Sequence, residues 1–281
     1  ARVLETLGAR VAFEGHTCVI DTTNVGAYEA PYDLVRTMRA SVYVLGPLLA
    51  RLGAARVSLP GGCAWGPRPI NLHLEGLNAM NANLEIEHGY VVGRDVRLKG
   101  ADFHFGVVSV GATAQLMMAA VLADGVTTLD NVAIEPDITA LAEVLVKCGA
   151  EIEGIGSRRL TIRGVKHLWP IEAAVIPDRI EAGTFLAAAA ITGSSLSVEN
   201  CVPAHLGATV QVLEQASCEV HAGEREVAIR GPARPAALDV VTEPFPGFAT
   251  DMQAQIMAMC TVAAGTSTIT DSIYVDRFSH V

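Results

Sequence analysis

The sequence predicts an α+β fold assembled from a repeated unit of about 70 residues, each a helix, a strand, a second helix and a two-stranded hairpin. Three observations carry this. The same order of helix-like and strand-like segments starts after Gly111 and again after Gly183, 72 residues later. Glycines stand at matching helix ends, Gly125 in one copy and Gly193 in the next. Apolar residues inside the copies switch between helical spacing (Ile138, Leu141, Val144 and Leu145 on one face) and short strand-like runs. Units this long exceed the usual solenoid period of roughly 20–50 residues, so several are expected to gather around shared helices.

Taken in order, residues 3–11 match the second helix and strand of a unit, as comparison with residues 144–150 shows. An early copy opens near Arg39-Ala40-Ser41 and continues into a strand at 56–59. The clearest copy has a helix at 112–120, a strand at 126–130, a helix at 138–147 and paired strands at 149–153 and 160–164. Its successor has a helix at 184–191, a strand at 195–199, a helix at 208–214 and strands at 219–221 and 227–231. A last copy has a helix at 252–257 and a strand at 267–271. The first unit lacks its first half and the last lacks its second, so both ends are expected to be cut from a longer protein.

Composition narrows the function. At 281 residues the chain can bury a proper core. Apolar residues make up 51% and aromatics only 5%, which calls for an aliphatic, alanine-rich interior with close-packed helices. A net charge of −10 excludes the basic footprint of a nucleic-acid surface, and any anionic small substrate must be met by local arginines. The six cysteines and eight histidines show no metal-ligand spacing, so no metal or other cofactor is expected, and scattered reduced thiols suit the cytoplasm. The apolar runs near 116–123 and 185–191 are too short to span a bilayer, so no membrane partner is expected.

Two segments carry chemistry on their own. Ser58-Leu59-Pro60-Gly61-Gly62-Cys63-Ala64-Trp65-Gly66-Pro67-Arg68-Pro69 puts a cysteine at a glycine-flanked loop tip, with an arginine five residues on. A neighbouring cation favours the thiolate, the reactive form of cysteine. The plainer alternative is a small buried cysteine in an ordinary turn. Ser109-Val110-Gly111 opens a predicted helix whose free N–H groups can hold a phosphate oxygen; Ser109 is also a good N-cap, and the two roles are compatible.

Five segments together resemble one family: residues 30–41 (Ala-Pro-Tyr-Asp-Leu-Val-Arg-Thr-Met-Arg-Ala-Ser), the Cys63 loop, Ser109-Val110-Gly111-Ala112-Thr113, Pro177-Asp178-Arg179-Ile180-Glu181 and Thr250-Asp251-Met252-Gln253-Ala254-Gln255. In this order along the whole chain they resemble the UDP-N-acetylglucosamine enolpyruvyl transferases. The resemblance implies two domains, each an inside-out α/β barrel of such units: most of the first in residues 1–176 and the first half of the second in 177–281. It implies transfer of enolpyruvyl from phosphoenolpyruvate to the 3′-hydroxyl of UDP-N-acetylglucosamine, with phosphate released, as the first committed step of peptidoglycan synthesis.

By the same resemblance Cys63 is the proton donor, and the thiol that fosfomycin alkylates. Asp251 is the carboxylate assigned to the 3′-hydroxyl; on its own it also reads as an acid at a helix N-terminus. Arg39 and Arg68 match positions near the substrates, though an isolated arginine reads better as a solvated surface group. Pro69, Ile70, Asn71 and Leu72 match a uridine-contacting stretch, with Asn71 where many relatives have Asp. His73 matches a family histidine; alone it reads as a polar residue at a strand end. Ser109, Val110 and Gly111 match a phosphate-holding turn, and Val107 stands where some relatives place a base. Arg179, with Glu181, reads as a substrate contact or an interdomain ion pair. Ile273 matches a backbone contact to the nucleotide sugar; alone it is an apolar strand residue. Glu135-Pro136-Asp137 resembles a family segment but carries no assignment. The family's lysine–asparagine pair and late arginine that hold phosphoenolpyruvate fall beyond Ala1 and Val281, so residues 1–281 alone are expected not to turn over. Two other readings remain: the sister transferase that uses shikimate 3-phosphate, and a non-catalytic UDP-sugar-binding fragment or paralogue.

Overall fold

A computed structural model describes residues 1–36, 38–59, 70–274 and 276–281. The chain forms two compact units: Ala1–Ile134 with Ile138–Ala173, and Glu135–Asp137 with Ala174–Val281. Each has its own apolar core.

The first unit opens with α1 (Arg2–Thr6) and a hairpin of β1 (Arg10–Glu14) and β2 (Thr17–Asp21). Two repeats follow. One runs β3 (Glu29–Ala30), α2 (Tyr32–Val35), a 3-10 turn over Arg39–Val44, α3 (Leu45–Leu52), β4 (Ala55–Ser58), α4 (Asn71–Ala79), β5 (Glu85–Glu87) and β6 (Tyr90–Gly93). The other runs β7 (Asp102–His104), α5 (Val110–Ala120), β8 (Val126–Asp130), α6 (Pro136–Lys147, in this unit from Ile138 on), β9 (Glu151–Glu153) and β10 (Arg159–Arg163). Their four-stranded sheets share one topology, β3-β4-β6-β5 and β7-β8-β10-β9. In each the first pair is parallel and the other two are antiparallel. A parallel pair needs a crossover, and helices supply it.

The second unit repeats the scheme with α7 (Arg179–Thr192), β11 (Ser195–Glu199), α8 (Gly207–Gln215), β12 (Glu219–Ala222) and β13 (Glu226–Arg230). It continues with β14 (Asp239–Thr242), a 3-10 turn over Thr250–Met252, α9 (Gln253–Cys260) and β15 (Thr268–Asp271). Strand order is β11-β13-β12, and β14 pairs in parallel with β15. The repeat is therefore as expected, with an addition: a short leading strand (β3, β7 or β14) precedes the first helix and pairs beside the strand that follows it.

Helices lie inside and sheets outside. Ala112–Met117, Ala119 and Ala120 of α5 are all buried, the pattern of a helix packed on every side. Strands instead alternate, as in β10, where Leu160 and Ile162 face the core while Arg159 and Arg163 face water. This is the inside-out arrangement the resemblance implies, although among the described residues the sheets remain separate hydrogen-bonded groups rather than one closed barrel. Close approach depends on two glycines. A Cβ on Gly76 of α4 would lie 2.1 Å from Leu116 Cδ2 of α5, and one on Gly183 of α7 would lie 2.9 Å from Met252 Sδ. Among the described residues no helix is long and apolar enough to cross a membrane.

Candidate active site

Cys63, Arg68 and Pro69 lie outside the described residues. The remaining candidates fall into two groups, one in each unit.

In the first unit the N-termini of α4 and α5 meet. Ser109 caps α5: its Oγ accepts from the Ala112 N–H at 3.2 Å. Helix geometry leaves the Val110 and Gly111 N–H groups without intrahelical acceptors, so this end presents a patch of partial positive charge. Gly111 is glycine for a packing reason, since a Cβ there would sit 3.1 Å from His73 Nε2 and 3.4 Å from the Tyr43 hydroxyl. His73 is therefore not at a strand end. It sits in α4, 5% exposed, on the buried face that Leu77 and Met80 continue at helical spacing. Burial, and secondarily the charge of Arg39, push its pKa down to about 4, so it is neutral at physiological pH. Its Nδ1 is buried with no hydrogen-bond partner.

Arg39 starts the 3-10 turn and is half-buried, which excludes the fully solvated alternative. Ile70, the residue before α4, is buried at 7% exposure; Leu72 packs partly against the core. Asn71 is exposed and donates from Nδ2 to Glu75 Oε1 one turn on, at 3.2 Å. Val107 is exposed at 65%. The structure thus brings Arg39, His73 and the Ser109–Gly111 turn together, with Ile70–Leu72 on the helix that carries His73.

In the second unit Asp251 lies in the 3-10 turn that leads into α9. Its Oδ1 accepts from Arg277 Nη2 at 2.6 Å, while its side chain stays 54% exposed. Ile273 is not a strand residue. It lies two positions beyond β15, and its N–H donates to Asp271 Oδ1 at 2.9 Å. Asp178 caps α7, accepting from the Ile180 and Glu181 N–H groups at 2.8 and 3.2 Å. Arg179 is directed to Asp137, 4.0 Å away, with its guanidinium 5.8 Å from the Phe245 ring centroid. Among the described ion pairs Arg179 is partnered by Asp137 and not by Glu181.

Sequence reasoning left two sets of residues without a role. One is Glu135–Asp137, which folds with the second unit: Glu135 is buried and its Oε1 accepts from the Phe245 N–H at 3.4 Å. The other is Arg277 with Asp271, Thr250 and Thr242. Beyond Thr250, which opens one of the five family-like segments, its local signal is an aspartate ending a strand before Ser-Ile-Tyr, the setting of an Asx turn.

The family and fold of the chain are shown by its similarity to known proteins. The family profile for EPSP synthase (3-phosphoshikimate 1-carboxyvinyltransferase) matches residues 1–281, and the chain belongs to this family. Within it, the chain is 54% identical over 280 residues to the UDP-N-acetylglucosamine 1-carboxyvinyltransferase of Geobacter metallireducens, covering 100% of this chain and 67% of that protein. It is 53% identical to the protein of that name from Geotalea uraniireducens, again covering 67% of it, and 50% identical to that of Chlorobium luteolum, covering 66%. The chain thus spans about two thirds of these relatives. Among solved structures, the enolpyruvyl transferase NikO of Streptomyces tendae superposes with a TM-score of 0.86 at 23% identity, over 99% of this chain and 67% of that one. The EPSP synthase of Acinetobacter baumannii superposes with a TM-score of 0.65 at 16% identity, over 95% and 63%. At these identities the two structures speak for the fold alone.

Proposed function

We propose that the protein containing this chain transfers the enolpyruvyl group of phosphoenolpyruvate to the 3′-hydroxyl of UDP-N-acetylglucosamine and releases phosphate. The observation that carries this reading is the 54% identity, over the whole chain, to a carboxyvinyltransferase named for that acceptor. In this reading the reaction opens peptidoglycan precursor synthesis and runs in the cytoplasm on two small-molecule substrates.

The chemistry has two steps. The sugar oxygen adds to C2 of phosphoenolpyruvate while its proton leaves to a base and C3 gains a proton from an acid. Loss of a C3 proton and of phosphate then restores the double bond. Asp251 suits the base: its carboxylate is exposed on one side and fixed by Arg277 on the other. Cys63 supplies the acid. Ser109, Val110 and Gly111 offer N–H groups to a phosphate oxygen, and Arg39 and Arg68 add the local positive charge that an acidic chain needs for anionic substrates. In this reading Pro69, Ile70, Asn71 and Leu72 serve the uridine end, Arg179 is a substrate contact, and the Ile273 backbone meets the nucleotide sugar.

The test is phosphate release by the full-length protein carrying this chain. Release is expected to require both phosphoenolpyruvate and UDP-N-acetylglucosamine and to survive EDTA. Turnover with shikimate 3-phosphate instead, or loss of turnover on chelation, would overturn the reading.

A further inference from the structure

The contact that holds Asp251 is the last link of a chain of polar groups that starts in the interior of the second unit. Asp271 ends β15 and is buried, 8% exposed. Its Oδ1 accepts from Thr242 Oγ1 at 2.9 Å and from the N–H groups of Ile273 and Tyr274, both at 2.9 Å. Its Oδ2 accepts from Thr250 Oγ1 at 2.6 Å. That hydroxyl has one proton, which it gives to Asp271, so its lone pairs face Arg277 Nη1, which donates to it at 3.1 Å. The other terminal nitrogen of the same guanidinium reaches Asp251. The Arg277 carbonyl in turn accepts from Gln253 Nε2 at 3.4 Å, which ties the backbone of the arginine to α9.

Burial alone would push the Asp271 carboxyl up, but the hydrogen bonds it accepts outweigh that and hold it below the ordinary carboxylate range. A buried carboxylate with its acceptors filled is a rigid anchor. The planar guanidinium transmits the geometry, because its two terminal nitrogens cannot move independently. With Nη1 fixed on Thr250, the position of Nη2 is fixed, and with it one oxygen of Asp251.

Resting on the function proposed above, we propose that Asp271 is a positioning residue: through Thr250 and Arg277 it sets the orientation in which Asp251 meets the acceptor hydroxyl. It touches no substrate. Its effect on Asp251 runs through the threonine hydroxyl and the arginine, separately from the N–H groups of Ile273 and Tyr274 that it also holds.

The decisive variant in the full-length protein is Thr250→Val, which removes the linking hydroxyl at nearly constant shape and leaves the other hydrogen bonds of Asp271 in place. Its kcat is expected to fall about 10- to 100-fold, the scale on which misplacing a reacting group acts, with KM for either substrate changed less than about threefold. Asp271→Asn is expected to give a similar loss. The double variant should be no slower than the slower single one, because both substitutions break one path. Arg277→Lys cannot span both contacts with a single ammonium and should not restore the rate, whereas an independent structural role for Asp271 would give additive losses or a fall in thermal stability without the kcat–KM split. An unchanged kcat in Thr250→Val, or additivity in the double variant, overturns the proposal. A crystal structure of Thr250→Val decides it separately from the activity: the Arg277–Asp251 contact is expected to be lost or displaced, and its retention at the same geometry also overturns the proposal. Absence of enol ether formation by the parent protein would instead overturn the function.

Discussion

Acid should loosen the first unit through His73. The imidazole is 5% exposed, packed against Gly111 and Tyr43, and subject to the charge of Arg39. Burial first, and Arg39 second, lower its pKa from 6.5 to about 4. In the unfolded chain the same group takes up a proton near 6.5, so below that pH the unfolded state binds more protons than the folded one. The contribution to stability is therefore fully present above about pH 6.5 and is lost as the pH falls towards about 4. Linkage with these two values gives a loss of about 2 kcal/mol between pH 7 and pH 5, approaching about 3 kcal/mol at the acid limit. That is a large share of a typical margin of roughly 5–15 kcal/mol. Urea denaturation followed by tryptophan fluorescence, to which Trp169 of the first unit contributes, measures it at the two pH values. His73→Gln keeps a polar group of similar reach that does not titrate. Its stability is expected to drop less than the parent's over the same interval, by about the 2 kcal/mol that linkage assigns to the histidine. Equal drops in parent and variant would refute the reasoning, since acid sensitivity would then come from carboxylates elsewhere.

Four further outcomes follow from the site and its packing. Gly76→Ala puts a methyl group within 2.1 Å of the buried Leu116 Cδ2 and should cost about 1–3 kcal/mol in the same urea titration, by forcing α4 and α5 apart. Ser109→Ala removes the acceptor for the Ala112 N–H and should cost about 1 kcal/mol, read as a lower urea midpoint with an unchanged slope. Asp251→Asn should lower kcat by about 100-fold or more in the phosphate-release assay while leaving UDP-N-acetylglucosamine binding by calorimetry within about threefold of the parent. Cys63→Asp keeps an acid in the loop and should retain measurable turnover while losing covalent labelling by fosfomycin; an intact-mass increase in that variant equal to the parent's would contradict the assignment of the thiol.

What the sequence makes legible depends on how far apart the interacting residues stand. The strands at 126–130 and 195–199 and the helix opening after Ser109 are written in adjacent residues: a glycine stop, an alternating run, a capping serine. The two strands agree with the structure residue for residue, and the helix read at 112–120 starts two residues earlier, directly after its capping serine. The leading strands β3, β7 and β14 were not visible, because strands of two to four residues carry too little alternation to stand out, and their pairing is fixed by a partner strand beyond a crossover helix. His73 shows a different failure. Its helical spacing to Leu77 and Met80 was present in the sequence, but a polar residue after Asn71-Leu72 suggested an end rather than a buried face. Only the packing of Gly111 against the ring explains why a histidine there stays neutral and enclosed. The Asp251 site is the least local of all. Thr242, Thr250, Asp271 and Arg277 span 36 positions, each is unremarkable alone, and their meaning comes from one buried carboxylate gathering hydrogen bonds from three separate stretches of chain. A sequence can nominate the group that meets substrate by motif. The groups that aim it are chosen by the fold, through contacts that no short motif records, and they are found by following hydrogen bonds inward from the exposed carboxylate until they reach one that is buried and satisfied.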